Sequence, residues 1–287
     1  MKQATTISEQ IGLLKSRGLT FKDESTAGIL LSRNNYYRLS GYWRKYQVDP
    51  SGKNDTFLRD TIFEDIIEIY ELDTALRNLL QKGIGIFEIC FRSHFAYSIA
   101  HSAPNGQFLY LAQSSYIDKT SRDEDVGDLL IKINDELLRS NEKYVSHFRA
   151  INEVIPVWVA VEILSFGTVS KMFSRWADKA VVKKVSLQFP FFKSYDNAIH
   201  LIRALVYLRN LCAHQARIWN RELIVKTADK DYFQHFGASK ERAQWRVISI
   251  LMSLIDEINR NDSYSKEVLG LCKRNAEFYK GLIEPTL

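Results

Sequence analysis

Residues 62–79 read IFEDIIEIYELDTALRNL, and this stretch decides the fold class. Its apolar residues recur every three or four positions, and residues 60–73 around it hold six acidic residues and no basic one. An α-helix turns through about 100° per residue, so this spacing places the apolar side chains on one helical face. We therefore predict a long amphipathic helix with an acidic outer face, whose inner face is formed by Ile62, Ile66, Ile69, Leu72, Leu76 and Leu79.

The same spacing recurs along nearly the whole chain, which has only 5 proline and 13 glycine residues among 287. Alternation with a period of two, which is typical of a half-buried strand, is not sustained anywhere, and residues 222–226 are the one weak strand candidate. The sequence therefore predicts an all-α fold. The further predicted helices are residues 8–15, 23–32, 34–47, 84–101, 125–150, 156–166, 167–176, 196–216, 238–259 and 265–279.

Residues 49–55, DPSGKND, form the clearest break in this pattern. Proline, glycine, asparagine and aspartate each favour turns over regular elements. We place a boundary here, which divides the chain into an N-terminal helical module, residues 1–50, and a larger helical domain, residues 51–287.

Basic residues are concentrated in two places. The net charge is only +5, but residues 33–45 contain four basic residues and no acidic one, and residues 193–226 contain six basic residues against two acidic ones. Two basic patches on an otherwise balanced chain are typical of a protein that binds a polyanion.

Several classes of protein are excluded. The three cysteines form no CxxC pair, which argues against a zinc ribbon and a disulfide framework. The opening residues, MKQATTISEQ, lack the apolar run of a signal peptide, and the most apolar stretch, residues 154–166, is too short to span a bilayer. Phosphate-loop and zinc-protease motifs do not occur. We therefore expect a cytoplasmic protein that does not bind a membrane and uses no metal and no cofactor.

The residues best suited to chemistry lie in residues 207–221, YLRNLCAHQARIWNR, where Arg209, Asn210 and His214 stand close together. Metal-free RNA cleavage requires a 2′-hydroxyl to attack the neighbouring phosphorus while protons move and extra negative charge is held. Histidine suits the proton transfers because its ordinary pKa is about 6.5. Arginine suits the phosphate because its planar group makes paired, charged hydrogen bonds. We therefore predict Arg209, Asn210 and His214 as catalytic residues.

Projected as a helix, this segment has two faces. One is apolar and is formed by Leu201, Leu205, Leu208 and Cys212. The other is polar, and it is formed by Arg203, Asn210, His214, Arg217 and Arg221. We predict that its outer arginines, Arg203, Arg217 and Arg221, bind RNA. One Arg–His pair is too small a set to supply both base and acid, so two copies facing each other in a homodimer would complete the site.

Plainer interpretations remain open. An Arg–His spacing of this kind also arises by chance in a chain with so many arginines, and a helical histidine is more often structural or simply exposed. Asn210 would orient the imidazole, bind phosphate, or be an ordinary surface amide.

Residues 34–46, NNYYRLSGYWRKY, interleave basic residues with aromatic ones. Aromatic rings stack on unpaired bases and basic side chains follow phosphates, so the segment is similar to a single-strand RNA surface. We predict that Tyr37, Arg38, Arg44 and Lys45 bind RNA. The alternative is a helix whose aromatic residues pack inward, and Arg38 is the residue most open to being drawn into an intramolecular ion pair.

Three segments together resemble the abortive-infection (Abi) family of the AbiD/AbiF type: ISEQIGLL at residues 7–14, NYYRLSGYW at residues 35–43, and LRNLCAH at residues 208–214 continuing to RIWNR at 217–221. That family is similar to the HEPN-domain ribonucleases, which are helical, usually dimeric, metal-independent and marked by Arg-x(4–6)-His. The resemblance implies a HEPN-like helical bundle with an N-terminal helical extension, in which Arg209 and His214 form the mark.

The function implied by the resemblance is that of an endoribonuclease toxin, which defends against phage by cleaving RNA in the infected cell. RNA would be its substrate and a candidate regulator, and an antitoxin could hold it silent. The alternatives are a non-catalytic RNA-binding or RNA-regulated defence protein that uses the same helix face, and a scaffold that binds a protein partner.

Overall fold

The computed structural model describes residues 4–52, 54–118, 125–225 and 236–286. Within these ranges the regular elements are helices and one short antiparallel hairpin, formed by β1 (Gln47–Asp49) and β2 (Asn54–Phe57). The all-α prediction is confirmed. The helices are α1 (Ile7–Ser16), α2 (Glu24–Arg33), α3 (Tyr36–Trp43), α4 (Phe63–Ala100), α5 (Val126–Arg139), α6 (Lys143–Ala150), α7 (Val157–Ile163), α8 (Phe166–Arg175), α9 (Lys179–Ser186), α10 (Tyr195–Ala213), α11 (Trp245–Asn259), α12 (Ser263–Cys272) and α13 (Ala276–Ile283).

The 38-residue helix α4 is the centre of the bundle, and α3, α7, α9, α10, α11 and α12 all pack against it. It begins in the stretch on which the fold prediction rests, and most of the predicted inner face is buried. The prediction of two separate helices at residues 62–79 and 84–101 is wrong in one respect, because these residues belong to one continuous helix. A single Gly83 weakens a helix without ending it, and here it lets the ring of Tyr264 lie against the backbone while its hydroxyl donates to Leu79 O (3.1 Å).

Gly83 and Gly85 of α4 form a matched pair for testing this packing. A methyl group on Gly83 would lie 2.2 Å from the hydroxyl oxygen of Tyr264, whereas one on Gly85 would meet no atom within 4 Å. We expect Gly83→Ala to lower the free energy of unfolding by about 1–3 kcal/mol through overpacking. Gly85→Ala should raise it by about 0.5–1 kcal/mol, because alanine is the better helix former. Urea unfolding of both variants measures this, and equal effects would contradict the packing.

Other boundaries differ from the predicted ones for local reasons. Residues 125–150 form two helices, because the backbone is extended at Ser140, and the predicted helix 265–279 is likewise divided between α12 and α13. Helix α9 was not predicted. Of the strand candidate 222–226, Glu222 makes an isolated bridge with Ala243, and residue 226 lies outside the described residues.

Within the proposed N-terminal module, residues 36–43 pack directly on the rest of the chain. Leu39, Tyr42 and Trp43 of α3 are buried in the same hydrophobic core as α4.

Across the described ranges, no helix is both long and apolar enough to cross a bilayer.

Candidate active site at the end of helix α10

Helix α10 carries the predicted catalytic residues near its C-terminal end. Its apolar face is buried as predicted, with Leu201, Leu205, Leu208 and Cys212 in the core. On its outer face, Arg203 and Asn210 are exposed. The helix ends at Ala213, and His214 is the exposed C-cap residue, whose backbone N–H donates to Asn210 O (3.0 Å). The imidazole therefore stands at the edge of the bundle, open to solvent.

The structure brings Arg209 and Asn210 into direct contact. Arg209 is half-buried, and its Nη1 donates to the side-chain oxygen of Asn210 (3.2 Å). The Asn210 side chain thus contacts the guanidinium of Arg209, a role that the sequence analysis did not include, while the backbone carbonyl of Asn210 accepts from the N–H of His214.

The prediction that Arg217 and Arg221 belong to the polar face of the helix is wrong, because both lie beyond its end at Ala213. Gln215 has a left-handed backbone (φ 53°), which turns the chain away from the axis of α10. Arg217 Nη1 then donates to the carbonyl oxygens of Trp219 (3.0 Å) and Asn220 (2.9 Å), and burial lowers the pKa of Arg217. Arg217 therefore shapes the segment after His214, and Arg221 lies half-buried beyond it.

A buried ionic cluster of Tyr42, Asp73 and Arg77 anchors this segment, and sequence analysis did not identify it. The side chains of Asp73 and Arg77 form an ion pair with no exposed surface. Asp73 also accepts from the Tyr42 hydroxyl (2.6 Å) and from the backbone N–H groups of Ile218 (3.2 Å) and Trp219 (3.0 Å). A sequence signal for the cluster exists, namely an acidic and a basic residue four positions apart beside Leu72 and Leu76 on an apolar helical face.

Burial controls the protonation of this cluster. Desolvation raises the pKa of the Asp73 carboxyl, and the charge of Arg77 and the hydrogen bond from Tyr42 act in the opposite direction. Burial, followed by the neighbouring Asp73, raises the pKa of Tyr42 and also raises that of the Cys212 thiol to about 12. The Tyr42 hydroxyl therefore stays protonated and able to donate, and Cys212 stays a neutral thiol.

Two arginines hold Gln215, the residue directly after His214. Arg77 Nε donates to Gln215 Oε1 (3.3 Å), and Arg38 Nη2 donates to Gln215 O (2.7 Å). Arg38 Nε also donates to the Tyr70 hydroxyl (3.3 Å). Arg38 is thus held within the molecule as anticipated, although by hydrogen bonds to neutral groups instead of an ion pair.

Trp219 is the main apolar anchor of the same segment. Its ring is buried and stacks with the rings of Tyr42 and Tyr46, at centroid distances of 6.2 and 6.3 Å. The ammonium group of Lys45 lies 5.2 Å from the centre of the Trp219 ring and is 2.5 Å from a carboxylate oxygen of Glu277. Lys45, which was predicted to bind RNA, therefore links α13 to the segment after His214.

The remaining candidates, Tyr37 and Arg44, are exposed on the other side of α3. Both line a cleft formed with α1 and the β1–β2 hairpin. Arg44 also lies near the segment after His214, because its charge, after burial and together with that of Arg221, lowers the pKa of Arg217. Among the residues that the structure describes, no group of three or more His, Cys, Asp or Glu side chains is placed to hold a metal ion.

The two sequence segments on which the resemblance mainly rests thus meet in space, since α3 and the residues after His214 are joined through Asp73. A family model described as Abi-like protein matches residues 29–220, which include the first segment and all of the second except Arg221. No curated protein and no solved structure matches the chain. Because the match covers more than half of the 287 residues, the chain belongs to the Abi-like protein family, and this membership suggests a part in abortive-infection defence.

Proposed function

We propose that this chain is a metal-independent endoribonuclease of the HEPN type, which acts as an abortive-infection toxin by cleaving RNA. The observation that carries the proposal is the arrangement at the end of α10, where an exposed His214 follows an Arg209 that is held by Asn210. A solvent-open imidazole and a positioned guanidinium, carried five residues apart at the end of one helix, are the two groups that the reaction requires.

In the proposed reaction, the 2′-oxygen of RNA attacks the adjacent phosphorus and the bond from phosphorus to the 5′-oxygen breaks. One imidazole takes the proton of the 2′-hydroxyl, and a second protonates the departing 5′-oxygen. Arg209 binds the non-bridging phosphate oxygens and offsets the charge that develops on them. The products are a 2′,3′-cyclic phosphate and a 5′-hydroxyl.

A homodimer would supply the second imidazole. The outer face of α10 supports this assembly, because Arg203, Asn210 and His214 all lie exposed along it. Two such faces related by a two-fold axis would bring two Arg209–His214 pairs to one cleft. Burial of the same face by an antitoxin or a regulatory RNA would silence the enzyme.

The experiment that tests the proposal is incubation of the protein with total cellular RNA in excess EDTA. We expect cleavage to persist, because the proton transfers and charge stabilisation are assigned to Arg209 and His214. The fragments should carry 2′,3′-cyclic phosphate or its hydrolysis product, and adapter ligation after phosphatase or kinase treatment identifies these ends. Cleavage that needs Mg²⁺ and leaves 3′-hydroxyl ends would refute the mechanism. Binding of RNA without cleavage would favour the non-catalytic alternative.

A further inference from the structure

A second candidate site lies in the N-terminal part of the chain. A cleft of about 680 Å³ opens between α1, α3 and the β1–β2 hairpin. Such a volume lies within the range of small-ligand sites, which is about 300–1,000 Å³. The lining residues that bear on its chemistry are Arg17, Asn35, Tyr36, Tyr37, Trp43 and Arg44.

Helix α3 separates the basic and aromatic residues of segment 34–46 into two sets. Arg38 and Lys45, together with Tyr42, contact the segment after His214. Tyr37, Ser40 and Arg44 instead line the cleft. The first set is therefore occupied in holding the molecule together, and the second is left facing solvent.

The aromatic residues form a continuous wall that ends in an open ring. Trp43 is buried, and the ring of Tyr36 packs edge-on against it with centroids 5.0 Å apart. Tyr37 packs edge-on against Tyr36 at 5.9 Å, and 74% of its surface is exposed. The monomer does not use the outward face of the Tyr37 ring for packing, so it offers a platform on which a planar base can stack.

Two arginines supply charge at the cleft in different ways. Arg17 is fixed, because it donates to the Tyr36 hydroxyl (3.3 Å) and pairs with Asp55 (2.9 Å). The side chain of Arg44 is exposed and makes no hydrogen bond or ion pair within the ranges that the structure describes, although its backbone N–H donates to Ser40 O. An exposed arginine about two helical turns along from an open aromatic ring fits a phosphate adjoining a stacked base.

We propose that this cleft binds one nucleotide of single-stranded RNA, with its base stacked on Tyr37 and its phosphate held by Arg44. The choice of ligand rests on the proposed function, but the binding itself requires no cleavage. The site would hold RNA on one side of α3, while the other side of the same helix supports the segment after His214.

The test measures binding of a fluorescein-labelled oligouridine by fluorescence anisotropy, using the full chain with His214→Ala so that the RNA stays intact. Stacking on an aromatic ring contributes about 1–3 kcal/mol per base, so Tyr37→Ala should weaken binding about fivefold or more, and Tyr37→Phe should not. Arg44→Glu should weaken binding and lower the slope of log affinity against log salt by about 0.7 or more. Arg139→Glu, an equal charge change at an exposed position of α5, is the matched control and should have little effect.

The proposal is overturned if the parent does not bind the oligomer, if Tyr37→Ala binds as tightly as the parent, or if Arg44→Glu and Arg139→Glu weaken binding equally. The cleft and the nuclease can fail separately. If RNA binding depends on Tyr37 but the wild-type chain cleaves no RNA, the nucleotide site in the cleft is supported and the proposed nuclease activity is refuted. If the wild-type chain cleaves RNA but its RNA binding does not depend on Tyr37, the nuclease is supported and the nucleotide site in the cleft is refuted.

Discussion

Replacement of His214 by alanine is expected to lower the rate of RNA cleavage by about 10²- to 10⁴-fold, which is the usual contribution of a general acid or base. The fold should be retained, because the side chain is exposed and the hydrogen bond to Asn210 O comes from the backbone. Initial cleavage rates on a defined RNA measure the effect. The matched control is His147→Ala, which removes another exposed imidazole from α6 and should leave the rate unchanged.

The same variant reports on the dimer. If each active site draws one His214 from each chain, mixing wild-type protein with an excess of His214→Ala protein should reduce activity more than dilution does. Equal rates for His214→Ala and wild type would refute the catalytic assignment. A strictly monomeric protein with full activity would refute the composite site and leave His214 to be explained in another way.

Replacement of Asp73 by alanine should be the most destabilising change near the site, at about 3–5 kcal/mol, because it leaves the wholly buried guanidinium of Arg77 without its counter-charge. The backbone N–H groups of Ile218 and Trp219 would also lose their acceptor. For a chain of this size we expect the melting temperature to fall by about 6 °C or more. Thermal unfolding measures this, with Glu71→Ala as the control, since Glu71 is an exposed acid on the same helix.

The Asp73 variant should also cleave RNA poorly at temperatures where it remains folded. The segment that follows His214 is fixed through Ile218 and Trp219, and its release would loosen the end of α10. A variant that matches wild type in both melting temperature and cleavage would show that the cluster supports neither the fold nor the site.

Local patterns in the sequence determined the fold class and part of the site. The spacing of apolar residues in 62–79 was enough to predict an amphipathic helix, since each helical turn repeats the same physical requirement. The buried face of α10 followed from the spacing of Leu201, Leu205 and Leu208 in the same way. Such periodicity is carried by neighbouring residues, so it can be recognised without any knowledge of the tertiary structure.

The tertiary structure decided where elements continue and end. The predicted break near Gly83 was wrong, because a single glycine weakens a helix without ending it, and here the ring of Tyr264 packs against the helix backbone at Gly83. The end of α10 at Ala213 likewise depends on contacts that hold Gln215 in a left-handed conformation. Propensity is too weak to decide such points when packing opposes it.

The tertiary structure also divided residues 34–46 between two tasks that composition could not separate. Arg38 and Arg44 look equivalent in the sequence. Arg38, however, donates a hydrogen bond to the carbonyl oxygen of Gln215, 177 residues away, while Arg44 lines an open cleft. The Asp73 carboxylate reaches the amide of Trp219 across 146 residues. Buried charges and buried N–H groups must find partners wherever the fold brings them together, and that demand is met by three-dimensional proximity, which local sequence spacing does not encode.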